Sequence, residues 1–363
     1  MPRPKDFDFF EESTTWIALF CVVLSAMWAW AMKTKSSNID KSTKSDIKVS
    51  QVIVYPIKSC AGISVPAAEI DSQSGLALDR VWMIVDSRNS FMSQRRSPKM
   101  ALITPNLPQN KKKPIILKAP DMTDLEVPVI IRGKKIIVRC WEDQIEAYDQ
   151  GDEAAQWLSD FLTIPGLRLV RMAPLARRLV DKKYVMRGTR TGFSDGFPIL
   201  LASNASLEDL NAKIKTSNVP MDRFRPNIVV KGAQAWAEDT WKHIIIHSET
   251  YLVAKPCSRC KIPTIDQTTG KPAGTNTKSK TDDDLGGGPA PGAEPIATLQ
   301  KFRTGKHLNF DKAEWKDEVF FGQNLAHLPL LPTFLLHIFG LPGQGRVAVG
   351  DGVHIISTKS EQA

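Results

Sequence analysis

Cysteine and histidine are scarce in this chain. Five cysteines, at 21, 60, 140, 257 and 260, and six histidines are spread over 363 residues. An odd, sparse cysteine set excludes a secreted disulfide scaffold and suits a reducing compartment. No H-E-x-x-H is present, and the one C-x-x-C lacks a second Cys/His pair at motif spacing, which excludes a four-ligand zinc site. No internal repeat is evident, and no long amphipathic helix interrupts Ser50 to Trp141. Apolar residues make up 42% and charged residues 24%, enough for a sizeable core and two domains of ordinary size. The net charge of +9 favours an anionic partner, although simple solubility accounts for it equally well.

One uncharged apolar run stands out. Thr14 to Met32 contains 19 residues without a charge, with Trp16, Trp28 and Trp30 near its ends. At about 1.5 Å per residue such a helix nearly spans a hydrocarbon core of roughly 30 Å. The preceding flank holds Asp6, Asp8, Glu11 and Glu12 against Arg3 and Lys5; the following flank holds Lys33, Lys35, Lys41 and Lys44 against Asp40 and Asp46. The charge bias puts the larger C-terminal part in the cytosol. A cleaved secretory signal fits less well, because the leading region is long and acidic and no A-x-A site follows. Residues 33–49 then read as a Ser/Lys/Asp-rich tether.

From Ser50 to Trp141 short Val- and Ile-rich runs are broken by turns: Q-V-I-V-Y, R-V-W-M-I-V-D, K-P-I-I-L-K, V-P-V-I-I and K-K-I-I-V-R-C-W, each expected as a strand. A helix over 151–162 follows, capped by Asp152, with Ala154, Trp157, Leu158, Phe161 and Leu162 on one face. Arg168 to Arg190 carries eight Lys/Arg against Asp181 alone, a solvated face or a docking surface. F-P-I-L-L-A-S leads into a short helix with Ser206 as its expected cap and Asp209 three residues on. Further strands, N-I-V-V-K, K-H-I-I-I-H and E-T-Y-L-V-A-K, bring the chain to Cys257. Residues 266–295 have the composition of a disordered insertion. The apolar stretch 327–341 is too short to cross a bilayer and is expected as core.

The chemistry concentrates in Cys257-Ser258-Arg259-Cys260. Two thiols sit three residues apart, with a guanidinium that favours thiolate over thiol. Four readings remain open: a redox pair, half of a zinc site, two buried structural thiols, or one thiolate holding a metal cofactor. A redox pair would open a helix, whereas Pro256, Pro263 and β-branched residues flank this one.

Y-P-I-K-S-C-A-G at 55–62, D-R-V-W-M-I-V-D at 79–86, R-F-R-P-N-I-V-V at 223–230 and P-C-S-R-C at 256–260 together resemble the MOSC superfamily, as do V-F-F-G-Q-N at 319–324 and R-V-A-V-G-D-G-V at 346–353. Within it the chain is similar to the amidoxime-reducing component group over about residues 50–357. The resemblance implies an α+β, mostly β fold: a transmembrane helix at 14–32, a MOSC N-terminal β-rich domain at 50–167, and a MOSC β-barrel domain at 168–358, followed by a tail at 359–363. It implies a molybdenum cofactor with a single phosphate-bearing pterin. Cys260 would be the metal ligand and Asp195 a catalytic neighbour. Lys58, Ser59, Arg80, Gly196, Phe197, Arg225, Asn227, Ser258, Arg259 and Asn324 would contact the cofactor, in a pocket between the domains. Cys257 would be a neighbour and Cys60 structural. Gly196-Phe197 and Asn324 depart from the Thr-Ser and Tyr of the animal members, which makes this pocket more apolar. The implied activity is reduction of N-hydroxylated compounds with electrons from NADH through cytochrome b5 reductase and cytochrome b5, at the outer mitochondrial membrane, with no nucleic-acid partner. A cofactor carrier, a sulfur relay or a tethered interaction module are the alternatives.

Overall fold

The computed structural model describes residues 46–71, 73, 75–108, 113–273, 293–310, 312–328 and 345–359, together with Val23. The first half contributes β1 (Lys48–Val54), β2 (Ile63–Val65), β3 (Ala67–Asp71), β4 (Gly75–Leu76), β5 (Trp82–Val85), β6 (Thr104–Pro105), β7 (Ile115–Lys118), β8 (Leu125–Val127), β9 (Lys135–Cys140), β10 (Asp143–Asp149), helix α1 (Asp152–Leu162) and β11 (Arg168–Met172). The second contributes β12 (Ile199–Ser203), helix α2 (Asn204–Lys213), β13 (Ile228–Lys231), β14 (Trp241–Ile246), β15 (Glu249–Ser258), the short helix α3 (Ile296–Leu299), β16 (Phe320–Leu328), β17 (Arg346–Ala348) and β18 (Val353–Thr358). Among the described residues no helix is long and apolar enough to cross a membrane. The expected anchor over 14–32 lies outside the described residues apart from Val23, as does most of the apolar stretch 327–341 beyond Leu328.

The principal sheet has eight strands in the order β18-β14-β15-β16-β12-β13-β1-β2. Its centre reads as uninterrupted apolar sequence because both faces are covered. In β1 and β13, Val52, Val54, Ile228 and Val230 face the main core, while Ile53 and Val229 face a second core with Ala202, Phe224 and Phe321. Among the described strands of this sheet one pairing is parallel, β12 with β13, and it is bridged by α2, a βαβ unit within an otherwise antiparallel sheet. β1 lies early in the chain, yet it pairs Val52 with Ile228. A separate antiparallel sheet runs β5-β11-β10-β9. Thus the strand at 168–172, expected to open the second domain, hydrogen-bonds to strands of the first.

Several local expectations are altered by tertiary partners. V-P-V-I-I is not a strand beyond Val127: Pro128 removes a ladder donor, and the Ile130 N–H and carbonyl pair instead with the Gln150 amide at 3.1 and 3.0 Å. All five apolar residues named for α1 are buried, but Asp152 does not cap it; Gly151 occupies that position and Asp152 accepts from Arg168 at 2.8 Å. Residues 266–273 are ordered rather than part of a disordered insertion, with Asp266 accepting from Arg223 at 2.8 Å and Ile265 bridging Pro272; residues 274–292 lie outside the described residues. Lys48 and Val49, expected in the tether, already belong to β1.

Ser206 does not cap α2 either. It lies inside the first turn, buried, accepting from the Trp236 N–H and donating to Glu238 Oε1 at 2.7 Å. Burial pushes the fully buried Glu238 carboxyl up to about 7, opposed by the Ser206 bond. Its folded pKa exceeds the unfolded value, so its contribution to stability is complete below the ordinary carboxyl range and fades as pH rises through about 7. Between about pH 5 and 8, calorimetry of the parent against Glu238→Gln is expected to show the parent losing up to about 3 kcal/mol more; parallel profiles would refute the assignment.

Candidate functional site

Four loops and strand ends meet at one cavity of about 360 Å³. The turn after β1 brings Lys58 and Ser59, and the turn before β5 brings Arg80. The loop before β12 brings Asp195, Gly196 and Phe197. Arg225 and Asn227 lead into β13, Ser258 ends β15, Arg259 and Cys260 follow it, and Asn324 comes from β16. All twelve residues singled out in the sequence therefore line a single cavity, with Trp141, Ser194, Phe224, Lys255 and Cys257 beside them. Its size is that of a small-molecule site. Five cationic side chains and one carboxylate, Asp195, line it, so the cavity favours an anion.

The wall is built on a buried hub. Asp79, wholly buried, accepts from the Tyr55 N–H (2.8 Å), Asn227 Nδ2 (2.9 Å) and Arg80 Nη1 (2.7 Å). Asn227 Oδ1 in turn accepts from Arg80 Nη1 (3.0 Å) and the Leu200 N–H (3.1 Å). Arg80 and Arg225 lie 4.2 and 4.4 Å from the Tyr55 ring centroid. Arg225 is anchored by Cys60 O at 2.7 Å, and burial lowers its pKa, so an anion beside it would relieve that cost. Ser59, Arg80, Trp141 and Arg225 have φ of 67, 46, 59 and 56°. Left-handed conformations at non-glycine residues are uncommon, and they gather at ligand sites whose surroundings enforce them.

Asp195 stands at the mouth, its side chain 62% exposed yet ringed by protein groups. Its Oδ1 accepts from Lys58 Nζ (2.5 Å) and Trp141 Nε1 (3.1 Å). Partial burial opposes ionisation, but the Lys58 and Arg95 charges and these bonds outweigh it and hold the carboxyl well below the usual range. Lys58 also donates to Phe193 O at 2.8 Å. Arg178 fixes this loop from behind, donating to the carbonyls of Gly192, Ser194 and Asp195 and pairing with Asp143. Gly192 permits the approach, since a Cβ there would lie 2.8 Å from Arg80 O. Gly196 is exposed at the cavity rim, and a Cβ there would meet nothing within 4 Å.

The basic run 168–190 is accordingly not one surface. Arg168 pairs with Asp149 and Asp152, Arg171 is buried beside Trp82, and Arg178 supports the pocket. Arg177, Lys182, Lys183 and Arg187 remain exposed, on a hairpin that also exposes Leu175, Leu179 and Met186.

The two thiols differ. Arg259 Nη1 reaches Cys257 Sγ at 3.0 Å and its Nη2 donates to Phe224 O at 2.7 Å. The guanidinium thus serves Cys257 rather than Cys260, and Cys260 is left half-buried in the cavity wall as a free thiol. Cys60 is fully buried, and burial pushes its thiol up to about 12, as a structural cysteine requires. Among the described residues no three His, Cys, Asp or Glu side chains converge on a common point, so no metal site there is built from protein ligands alone. Two buried polar atoms in the cavity lining, Ser194 Oγ and Arg259 Nε, have no protein partner. One free thiol, several cations and orphaned donors fit a metal carried on an anionic organic ligand.

This fold and pocket define a two-part MOSC protein. Residues 46–165 match the MOSC N-terminal beta barrel domain and residues 188–354 the MOSC domain. Mitochondrial amidoxime reducing component 2 of Rattus norvegicus is 34% identical over 232 residues, 61% of this chain and 68% of that one. Mitochondrial amidoxime-reducing component 1 of Mus musculus is 29% identical over 316 residues, 85% and 82% of the two chains. The chain belongs to the amidoxime-reducing component family of MOSC proteins. The molybdenum cofactor sulfurase of Homo sapiens is 31% identical over 242 residues, 61% of this chain and 27% of that one.

Proposed function

We propose that this protein is a membrane-anchored molybdenum-cofactor oxidoreductase that reduces N-hydroxylated compounds. The observation that carries the reading is the convergence of all twelve residues on one cationic cavity with a free thiol in its wall. Cys260 would hold the metal, Arg80 and Arg225 would pair with the cofactor phosphate, and Ser59, Asn227, Ser258 and the Arg259 Nε–H would bond the pterin edges. The cofactor, when bound, supplies the two-electron chemistry. Asp195 is ionised and tied through Oδ1, so it acts as an acceptor that orients the amidoxime N–H or O–H rather than as an acid. Phe197, on the lining beside the unobstructed Gly196, offers an apolar surface to a substrate body. In balance, the N–O bond takes up two electrons and two protons, leaving N–H and water. Electrons would come from NADH through cytochrome b5 reductase and cytochrome b5, and the exposed cations and apolar side chains of the 174–191 hairpin offer an acidic donor a docking face. Residues 14–32 would anchor the chain, in the outer mitochondrial membrane if it follows its relatives.

Purified protein is expected to carry molybdenum and pterin near one per chain and to reduce benzamidoxime to benzamidine with reconstituted cytochrome b5 and its reductase. Bound cofactor without turnover would instead favour a carrier or sulfur relay. The Arg259 guanidinium on Cys257 is the observation that suits such a relay, and a persulfide on either thiol, seen by mass spectrometry, would mark it.

A further inference from the structure

A second cavity of about 360 Å³ adjoins the first and shares one lining residue with it, Lys255. Its walls are aromatic and cationic: Tyr184, Phe310 and Trp315 beside Lys242, Lys255 and Lys359. The Tyr184 and Trp315 rings stack with centroids 6.1 Å apart at 23°. Lys255 Nζ lies 5.0 and 4.9 Å from those two centroids, and 6.0 Å from that of Phe197 in the first cavity.

Among the described residues the lining holds three ammoniums and one carboxylate. Among the described residues neither Lys242 nor Lys255 makes an ion pair. Among the described residues Lys359 donates to two neutral oxygens, Asp239 O at 2.7 Å and Gln323 Oε1 at 3.3 Å. The one carboxylate in the lining, Asp239, is already paired with Arg303 at 2.7 Å. Burial pushes Lys359 down to about 8, with Asp239 opposing and Lys242 adding to the shift, as an ammonium short of an anion responds. Three ammoniums around stacked rings form a site for a flat ligand bearing one negative charge: the rings cover its faces and the lysines meet its charge. The volume suits one molecule of that kind.

We propose that this second cavity binds an aromatic monocarboxylate, gripped by Lys242, Lys255 and Lys359 and packed against Trp315. The site does not depend on the reading of Cys260. Because Lys255 also lines the Cys260 cavity, an anion here draws the ammonium towards itself and reduces the positive charge presented to the first cavity.

The test is calorimetric titration of the purified full chain with 2-naphthoate, its neutral counterpart 2-naphthamide, and sulfate. Naphthoate is expected to bind at least about tenfold more tightly than naphthamide, and sulfate not to compete with it. Lys255→Met and Trp315→Ala, each shown to be folded by its melting curve, are expected to reduce that preference or the affinity by about tenfold. Lys242→Met serves as a second cation variant should either of these fail to fold. Equal binding of naphthoate and naphthamide, full competition by sulfate, or affinities unchanged in every folded variant would overturn the proposal. None of these outcomes depends on turnover, so they are distinguishable from failure of the reductase reading.

Discussion

Cys260→Ala is expected to purify folded, to contain less than about a tenth of the parent's molybdenum, and to lose benzamidoxime reduction altogether. Cys260 is half-buried at the cavity wall, just beyond the end of β15, and among the described residues none donates to its sulfur. Its removal takes away no internal bond, so the melting temperature should stay within a few degrees of the parent. Cys257→Ala is the informative contrast. Its sulfur is held by Arg259 at 3.0 Å, and its loss frees that guanidinium without removing the proposed ligand. Metal analysis by mass spectrometry decides the matter: a Cys260→Ala protein that retains its molybdenum would sink the ligand assignment, and loss only in Cys257→Ala would transfer it to the other thiol.

The second large effect concerns the hub. Asp79→Ala is expected to destabilise the fold by about 3–5 kcal/mol, the usual cost of stranding a buried charge partner. The variant leaves the Tyr55 N–H without its acceptor and removes one acceptor each from Asn227 Nδ2 and Arg80 Nη1, which keep Ile53 O and Asn227 Oδ1, and it takes the carboxyl away from beside two guanidiniums that both pack on the Tyr55 ring. For a chain of this size the change corresponds to a fall in melting temperature of roughly 10 °C, measurable by calorimetry. Asp79→Asn keeps the shape and one acceptor oxygen and should recover part of the loss. A melting point for Asp79→Ala within about 2 °C of the parent would show that the hub does not hold the two arginines.

The pocket residues were legible in sequence to an unusual degree, because each lies in a short run with its own character: Lys58 and Ser59 in Y-P-I-K-S-C, Arg225 and Asn227 in R-F-R-P-N, Cys260 in C-S-R-C. What surrounds them was not. Trp141 and Lys255 reach the cavity from β-rich segments that look like any others, and only the fold aims their side chains. The positive φ of Ser59, Arg80 and Arg225 has no signature in residue type, since it is imposed by bonds made across the molecule. Ser206 looked like a cap because local spacing cannot reveal that Glu238 will claim its hydroxyl. Strands were read well from apolar patterning, which reports burial. Their neighbours were not, because patterning carries no information on which strand lies alongside. The placement of β1 beside β13, and of β11 between β5 and β10, is therefore a structural finding.

That placement of β1 sets a timetable for biosynthesis. Val52 emerges from the ribosome 176 residues before Ile228, its partner in the ladder. At about 5–20 residues per second the strand waits roughly 10–35 s for that partner, with β2 as its one ladder neighbour among the described strands until then. Arg80 and Lys58 wait longer still, until Cys260 and then Asn324 complete the wall. The cavity is thus a product of the last stage of synthesis. Whatever fills it must be loaded into a nearly finished chain, and a truncation between Arg259 and β16 yields a protein that holds all five cationic residues of the lining but lacks the strand that completes its wall.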